Sequence, residues 1–178
     1  MIETERLILR EWRDEDIAPY AEMMADPEVM QTLGKPMDRA TAMARIDSLK
    51  TSLRERGFTR LAITDKTSGM FLGYCGLQPV EFMDHLRGEL EIGWGLRRAV
   101  WDHGYATEAA SATLAWAWRN LDMARVFGFT TKANGRSQSV MQRIGMSRRP
   151  ELDFDHPKLA TDDPLRPHVV YSIQRPAT

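Results

Sequence analysis

Two glutamates and a glycine-containing turn lie close together in the middle of the chain, and their residue types suit proton transfer and phosphate binding. Glu89 and Glu91 belong to a segment that reads as a β-strand, and residues two apart on a strand point to the same face. The turn at 101–106, Trp-Asp-His-Gly-Tyr-Ala, leads into an alanine-rich helical segment that begins at Gly104. The first N–H groups of a helix lack internal partners and attract anions, and glycine lets a phosphate approach the backbone closely. The pattern predicts a phosphate site, although a single glycine fits an ordinary strand-to-helix turn equally well.

The residues beside the turn are also suited to binding a ligand. Arg97, Arg98 and His103 add positive charge next to the expected phosphate position. Gly93 and Gly95 interrupt the strand, and glycine inside a strand favours a bulge or a close backbone approach. We therefore expect the ligand to run from the turn back along this strand.

The hydrophobic periodicity predicts the elements that position these residues. Strands are expected at 4–12, 58–64, 71–80, 88–96, 125–131, 146–154 and 168–174. Helices are expected from 13 to about 24, from 27 to about 34, and at 39–56, 104–121 and 134–145, with polar loop 81–87 between two strands. This order, β-α-α-α-β-β-β-α-β-α-β-β, predicts a mixed α/β or α+β fold around one sheet, with residues 1–178 forming a single domain.

Composition excludes several classes of protein. The 178 residues carry a net charge of −1, which argues against a general nucleic-acid partner. No apolar run approaches the roughly 20 residues that span a membrane, and the charged N-terminus does not read as a signal peptide. The single cysteine, Cys75, excludes an internal disulfide framework and fits a cytoplasmic location. The histidines show no metal-ligand spacing, so no metal is expected.

Three segments resemble the GNAT superfamily of acetyl-CoA-dependent N-acetyltransferases. In the family motif Gln/Arg-x-x-Gly-x-Gly/Ala, Gly104 and Ala106 match and Trp101 takes the first position. The form Trp-x-x-Gly-Tyr-Ala-Thr-Glu-Ala at 101–109 is similar to the branch of ribosomal-protein serine/alanine N-terminal acetyltransferases. Residues 134–146 resemble the segment Asn-x-x-Ser-x-x-Val-x-x-x-x-Gly-Phe, with methionine in the last position, and Thr-Glu-Arg-Leu-Ile-Leu-Arg at 4–10 resembles the first strand.

The resemblance implies the GNAT fold, a strongly twisted mixed sheet flanked by helices that holds acetyl-CoA in a wedge between splayed strands. Backbone groups of Trp94 and Leu96 are expected to contact the pantetheine arm, which is an extended amide chain. The diphosphate is expected at the turn, and Asn134 near the wedge. The full set of expected cofactor-binding residues is Trp94, Leu96, Trp101, Asp102, His103, Gly104, Tyr105, Ala106, Thr107, Asn134, Ser137 and Met141.

Glu91 is the expected general base, because it matches the glutamate of the family's Glu-Ile-Gly segment and amines must lose a proton before they attack. The alternative is that Glu89 and Glu91 are solvated charges or pair with Arg87 or Arg97. Many family members carry a tyrosine as general acid where this chain has Met141, which cannot donate a proton. Ser137 is the hydroxyl left on that helix to support the thiolate, or it is simply a capping or exposed serine.

These residues together predict direct transfer of an acetyl group to a primary amine, either a protein N-terminus or a small molecule. Cys75 has no histidine placed to activate it, so a covalent enzyme intermediate is not expected. The alternative function is a regulatory module that binds acyl-CoA without turning it over. A homodimer is expected only by analogy with the family.

Overall fold

The computed structural model describes residues 1–83 and 86–177, and these form a mixed α/β fold around one sheet. The strands are β1 Ile2–Glu3, β2 Leu7–Arg10, β3 Arg60–Asp65, β4 Phe71–Pro79, β5 Leu90–Leu96, β6 Arg125–Thr131, β7 Ser147–Arg148, β8 Phe154–Asp155 and β9 Pro167–Gln174. The helices are α1 Ile17–Ala25, α2 Pro27–Met30, α3 Arg39–Arg56, α4 Tyr105–Asn120 and α5 Gly135–Arg143. Short 3₁₀ turns lie at Asp14–Asp16, Arg98–Val100 and Pro150–Leu152.

The strand order is β1-β2-β3-β4-β5-β6-β9-β7, and β8 also pairs with β9. Every pairing in the described residues is antiparallel except that between β5 and β6. The parallel pair requires a crossover, which α4 provides between the two strands. The expected mixed sheet is thus confirmed. Among the described residues its only parallel pair, β5 with β6, lies beside the glutamates and the turn.

The two faces of the sheet bury different cores. On one face α4 and α5 cover the main apolar cluster, and α4 turns Ala109, Ala110 and Leu114 into it. On the other face α1, α2 and α3 cover a second cluster over β3 and β4, and a third lies over β6 and β9. The helices on this second face therefore stop short of β6, which leaves β5 at the boundary between two clusters.

Two predicted strands were wrong in their extent. The strand expected at 4–12 is two short strands, because the chain turns where the Thr4 N–H donates to the Leu7 carbonyl at 2.9 Å. The strand expected at 146–154 is interrupted by a 3₁₀ turn that starts at Pro150, since proline has no N–H to give to a strand ladder. Within the predicted loop 81–87, residues 84 and 85 lie outside the described residues. None of the helices described here is both long and apolar enough to cross a membrane.

Candidate active site

The parallel strands β5 and β6 separate after a short pairing. β5 pairs with β4 along its whole length, from Leu90 to Leu96. With β6 it pairs only through Leu90 to Val126 and Glu91 to Phe127, while β6 stays paired with β9 as far as Thr131. A V-shaped opening therefore begins at Glu91, and this is the splayed wedge that the sequence predicted.

One side of the wedge is an unpaired strand edge. The Arg97 N–H donates to the Leu72 carbonyl at 2.9 Å, so the odd-numbered residues of β5 direct their backbone groups to β4. The even-numbered residues Trp94 and Leu96 therefore face the opening. The Leu96 carbonyl accepts the indole N–H of Trp101 at 3.0 Å, and the remaining backbone groups of this edge are available to an extended amide chain.

The mouth of the wedge is the start of α4. Gly104 is the N-cap and adopts a left-handed conformation with φ of 80°, where other residues are strained. No side chain caps the helix, and its first internal backbone bond runs from the Glu108 N–H to the Gly104 carbonyl at 3.0 Å. The N–H groups of Tyr105, Ala106 and Thr107 consequently have no partner within the helix and form a cradle for an anion.

A cavity of about 330 Å³ joins the wedge to this cradle. All of the residues predicted to bind the cofactor line it except His103 and Met141. The His103 ring lies outside, stacked on Tyr105 with 5.9 Å between ring centroids. Met141 is 2% exposed and fills the core above Gly128, because the missing glycine side chain leaves room for its methyl group. The structure thus places these two side chains outside the lining of the cavity, and their contact with a cofactor stays a prediction.

The arginines expected to give the turn its positive charge are engaged elsewhere. Arg98 pairs with Asp26 and Glu28, each at 3.0 Å, and Arg97 approaches Glu22 at 3.7 Å. These pairs fasten the segment that follows β5 to α1, to α2 and to Asp26 between them. The expectation that they contribute free charge to a phosphate site is corrected accordingly.

Two other arginines, which the sequence reading missed, supply the positive charge. Arg136 and Arg143 line the cavity from α5, and within residues 1–83 and 86–177 neither pairs with a carboxylate. The Arg136 guanidinium lies 4.5 Å above the Trp101 ring, which holds it at the mouth. The two arginines are seven residues apart on the helix that follows the cap Asn134, so they lie on one helix face, and this spacing is the signal that could have identified them.

Asn134 and Ser137 hold the other wall of the wedge. The Asn134 side-chain oxygen accepts the Ser137 N–H at 3.0 Å and caps α5. Both residues line the cavity, and Asn134 is buried. The capping role expected as one alternative is thus performed by Asn134, and it leaves the Ser137 hydroxyl on the cavity wall.

Glu91 lies at the apex of the wedge in a buried ion pair. Its carboxylate accepts from the Arg60 guanidinium at 2.6 Å, and the two side chains are only 15% and 14% exposed. Burial raises the pKa of Glu91 above its ordinary value, and the charges of Arg60 and Arg45 offset part of that rise. Glu89, two residues earlier, pairs instead with Arg125 at 2.6 Å. The alternative of a solvated Glu91 is therefore excluded, and its partner is one that the sequence did not suggest.

Gly93 and Gly95 of β5 leave space for neighbouring side chains and do not form a bulge. The register of β4 with β5 is continuous, so no bulge forms. A Cβ on Gly93 would lie 2.7 Å from the Arg60 guanidinium, and one on Gly95 would lie 2.7 Å from the Tyr74 ring. The space over the two glycines is thus filled by the side chains of Arg60 and Tyr74, and of these Arg60 contacts Glu91.

Comparison with known proteins agrees with this arrangement. The profile of the Acetyltransferase (GNAT) domain matches residues 6–147. The chain therefore belongs to the GNAT acetyltransferase family. It is 28% identical over 144 residues to the uncharacterized protein YkkB of Bacillus subtilis, which spans 80% of this chain and 83% of that protein.

Solved structures of GNAT proteins confirm the fold. An acetyltransferase from Agrobacterium tumefaciens superimposes with a TM-score of 0.78 and 26% identity, covering 97% of this chain and 93% of that one. RimL, a ribosomal L7/L12 alpha-N-protein acetyltransferase in complex with coenzyme A, gives a TM-score of 0.76 at 15% identity, covering 96% and 95%. The wedge, cradle and buried glutamate thus lie in a GNAT fold.

In this GNAT chain Cys75 is not available as a nucleophile. Its side chain is fully buried on β4, with Sγ 3.6 Å from the Thr113 hydroxyl. Burial raises the pKa of the Cys75 thiol to about 12, so the reactive thiolate is not formed at neutral pH. A route through an acyl-cysteine is therefore not supported by this site.

Proposed function

We propose that the protein transfers an acetyl group from acetyl-CoA directly to a primary amine, with Glu91 as general base. The observation that carries this proposal is the position of Glu91: the parallel strands part at this residue, beside an unpaired strand edge and an uncapped helix start. The unpaired edge suits an amide chain, the helix start suits a diphosphate, and the buried carboxylate suits proton transfer.

The residues of the wedge fit the shape and charge of acetyl-CoA. The pantetheine arm is an extended amide chain, which the backbone groups of Trp94 and Leu96 would pair with. The diphosphate would accept the N–H groups of Tyr105, Ala106 and Thr107, and the helix dipole favours negative charge there. Bound in this way, acetyl-CoA supplies the thioester whose acetyl group is transferred.

The reaction needs Glu91 to remove a proton from the amine. Amines are mostly protonated at neutral pH, and a carboxylate with a raised pKa is a better base than an exposed one. In each turnover one C–N bond forms and one C–S bond breaks. The ammonium nitrogen loses two protons, one to Glu91, which returns it to solvent, and one to solvent as the amide forms, while the departing thiolate takes up one. We propose that the Ser137 hydroxyl supports that thiolate, with the final proton coming from solvent.

The fold supports only a broad class of acceptor, a primary amine. RimL, which shares the fold, acts on a protein N-terminus by its name. A protein N-terminus and a small amine are therefore both proposed for this chain. The single domain, the homodimer and the cytoplasmic location remain predictions.

Thermal melting and thiol release test the proposal together. We expect acetyl-CoA to stabilise the protein by about 2.7 kcal/mol at a hundredfold excess over its Kd, and ATP to have no comparable effect. A panel of amines and N-terminal peptides should then release free coenzyme A at a rate above the blank. Stabilisation without any release would instead favour the regulatory acyl-CoA-binding module, and equal stabilisation by ATP would contradict the assigned cofactor.

Gly104 gives a sharper test of the cradle. Gly104→Ala is expected to raise the Kd for acetyl-CoA about tenfold, or about 1.4 kcal/mol, because the new methyl group disturbs the backbone that faces the diphosphate. Gly69→Ala is the matched control, since Gly69 has a similar φ of 74° and open space around it in a distant turn. Both changes should destabilise the fold by about 1 kcal/mol. Isothermal titration of both variants decides, and equal Kd values would show that Gly104 does not form the cradle.

A further inference from the structure

Six aromatic rings form a continuous surface beside the apex of the wedge. We call them the aromatic wall, and they are Phe82, Phe127, Phe129, Phe154, His156 and His168. Neighbouring rings have centroids 5.1 to 6.4 Å apart. Phe127 is 1% exposed, whereas the other five are only partly buried. The wall therefore offers ring surface to a ligand.

The wall begins at the proposed base. Phe127 is the register partner of Glu91 in the parallel pair, so the two side chains leave the same face of the sheet. The Phe127 ring is stacked on Phe129 at 6.1 Å, and Phe129 contacts Phe82 and Phe154, each at 5.7 Å. An amine held at Glu91 would therefore have its substituents next to these rings.

The two histidines keep the wall uncharged at neutral pH. His156 and His168 are 5.1 Å apart by ring centroid, although the sequence places them on different segments. Burial lowers the pKa of both, and their proximity lowers the pKa of His156 further. Among the residues that the structure describes, no cluster of three metal-ligating side chains forms, so the pair acts as aromatic surface.

We call the space over β5, between α3 and the aromatic wall, the cleft, and the exposed Arg45 lies on its α3 side. Arg45 flanks the buried stripe of α3 formed by Ala42, Ile46 and Leu49. It is exposed and has no carboxylate partner in residues 1–83 and 86–177. Its positive charge lowers the pKa of Glu91. An anionic group on the acceptor would therefore be attracted to this side.

Within residues 1–83 and 86–177, four carboxylates near the base and the aromatic wall are paired with arginines. The pairs are Glu89 with Arg125, Asp153 with Arg148, Asp155 with Arg166, and Glu91 with Arg60. A polyamine needs several free carboxylates along its length, and the cleft offers it cations instead. These four pairs therefore leave none of their carboxylates free for a polycation.

We propose that the preferred acceptor is an α-amino acid with an aromatic side chain, its ring on the aromatic wall and its carboxylate near Arg45. This inference rests on the proposed acetyl transfer at Glu91 and names the acceptor for that site. The three groups of such an amino acid correspond to the three features of the cleft: the base, the ring surface and the free cation.

Steady-state kinetics with four acceptors test this: phenylalanine, alanine, phenethylamine and spermidine. We expect kcat/KM for phenylalanine to exceed that for each of the others by about tenfold or more, the scale of 1.4 kcal/mol. Alanine lacks the ring, phenethylamine lacks the carboxylate, and spermidine carries the wrong charge.

Two variants separate the contributions. Phe129→Ala should lower kcat/KM for phenylalanine about tenfold and leave that for alanine nearly unchanged. Arg45→Gln should remove the advantage of phenylalanine over phenethylamine, mainly through KM. Arg54→Gln is the control, because Arg54 is an exposed arginine on the opposite side of the same helix. Its kinetics should match those of the parent protein.

The outcomes distinguish this inference from the proposed function. Turnover of spermidine or alanine at least as fast as phenylalanine would overturn the acceptor class while leaving acetyl transfer intact. Unchanged selectivity in Phe129→Ala and Arg45→Gln would do the same. Absence of acetyl-CoA binding and of transfer to any amine would instead remove the proposed function itself.

Discussion

Glu91→Gln is expected to lower kcat/KM for acetyl transfer by about 100-fold, within the range that general base catalysis usually contributes. Glutamine keeps the size of the side chain and can still accept a hydrogen bond from Arg60, but it cannot take a proton from the amine. Because Glu91 is absent from the lining of the cavity at the cradle, the Kd for acetyl-CoA should change by less than about twofold. Initial rates of thiol release and a binding titration measure the two quantities separately.

Glu89→Gln provides the matched control for this experiment. Glu89 is the same residue type two positions earlier, and it forms a similar pair with an arginine at 2.6 Å, but it lies before the strands part. Its substitution should leave kcat/KM within about twofold of the parent value, as for most changes outside a site. Equal losses in the two variants would point to a general effect of charge, and no loss in Glu91→Gln would exclude this residue as the base.

The dependence of kcat/KM on pH tests the assignment of Glu91 as the general base. A base works only when deprotonated, so kcat/KM should rise with pH through the pKa of Glu91 and then level off. Since burial raises that pKa, the rise should lie at higher pH than for an ordinary glutamate. In Glu91→Gln this limb should disappear, whereas Glu89→Gln should retain it.

The uncapped start of α4, which we propose as the phosphate cradle, could be predicted from the sequence because its geometry is local. A glycine followed by an alanine-rich helical segment fixes the N-terminus of the helix and its free N–H groups within a few residues. Gly104 indeed adopts the left-handed conformation that the turn requires. The wedge could also be predicted, but from the resemblance to the GNAT family and not from any local sequence pattern.

The partners of the charged residues could not be predicted, because they depend on the register of distant strands. Arg60 reaches Glu91 across β4, over a separation of 31 residues along the chain. Nothing in the local sequence of either residue specifies that meeting. The same holds for His156 and His168, which the pairing of β8 with β9 brings together. The two glycines Gly93 and Gly95 did mark an unusual place in the strand. They leave space for the side chains of Arg60 and Tyr74, whereas the sequence reading expected a bulge or a close backbone approach.

The pair Gly76 and Gly93 tests that interpretation, because they are register partners on neighbouring strands with opposite expected outcomes. A Cβ on Gly76 would lie 2.1 Å from the Thr59 carbonyl oxygen and 2.6 Å from the Arg60 Cα. Backbone atoms cannot move aside without disturbing the sheet. Gly76→Ala should therefore cost about 3 kcal/mol of folding free energy, a fall in Tm of about 10 °C for a chain of this size.

Gly93→Ala should keep the fold and lose activity. Its Cβ would overlap only with the guanidinium of Arg60, the mobile end of a flexible side chain, so the cost in Tm should be a few degrees. The displaced guanidinium would release Glu91, whose pKa would rise further because burial is then less well compensated. We expect kcat/KM at neutral pH to fall about tenfold and its rising limb to shift to higher pH.

Arg60→Met should produce the same shift in the pH profile, and the double variant should lose no more activity than either single variant, since both changes act through the same ion pair. Additive losses, or a Gly93→Ala enzyme with an unshifted pH profile, would show that Arg60 does not position the base.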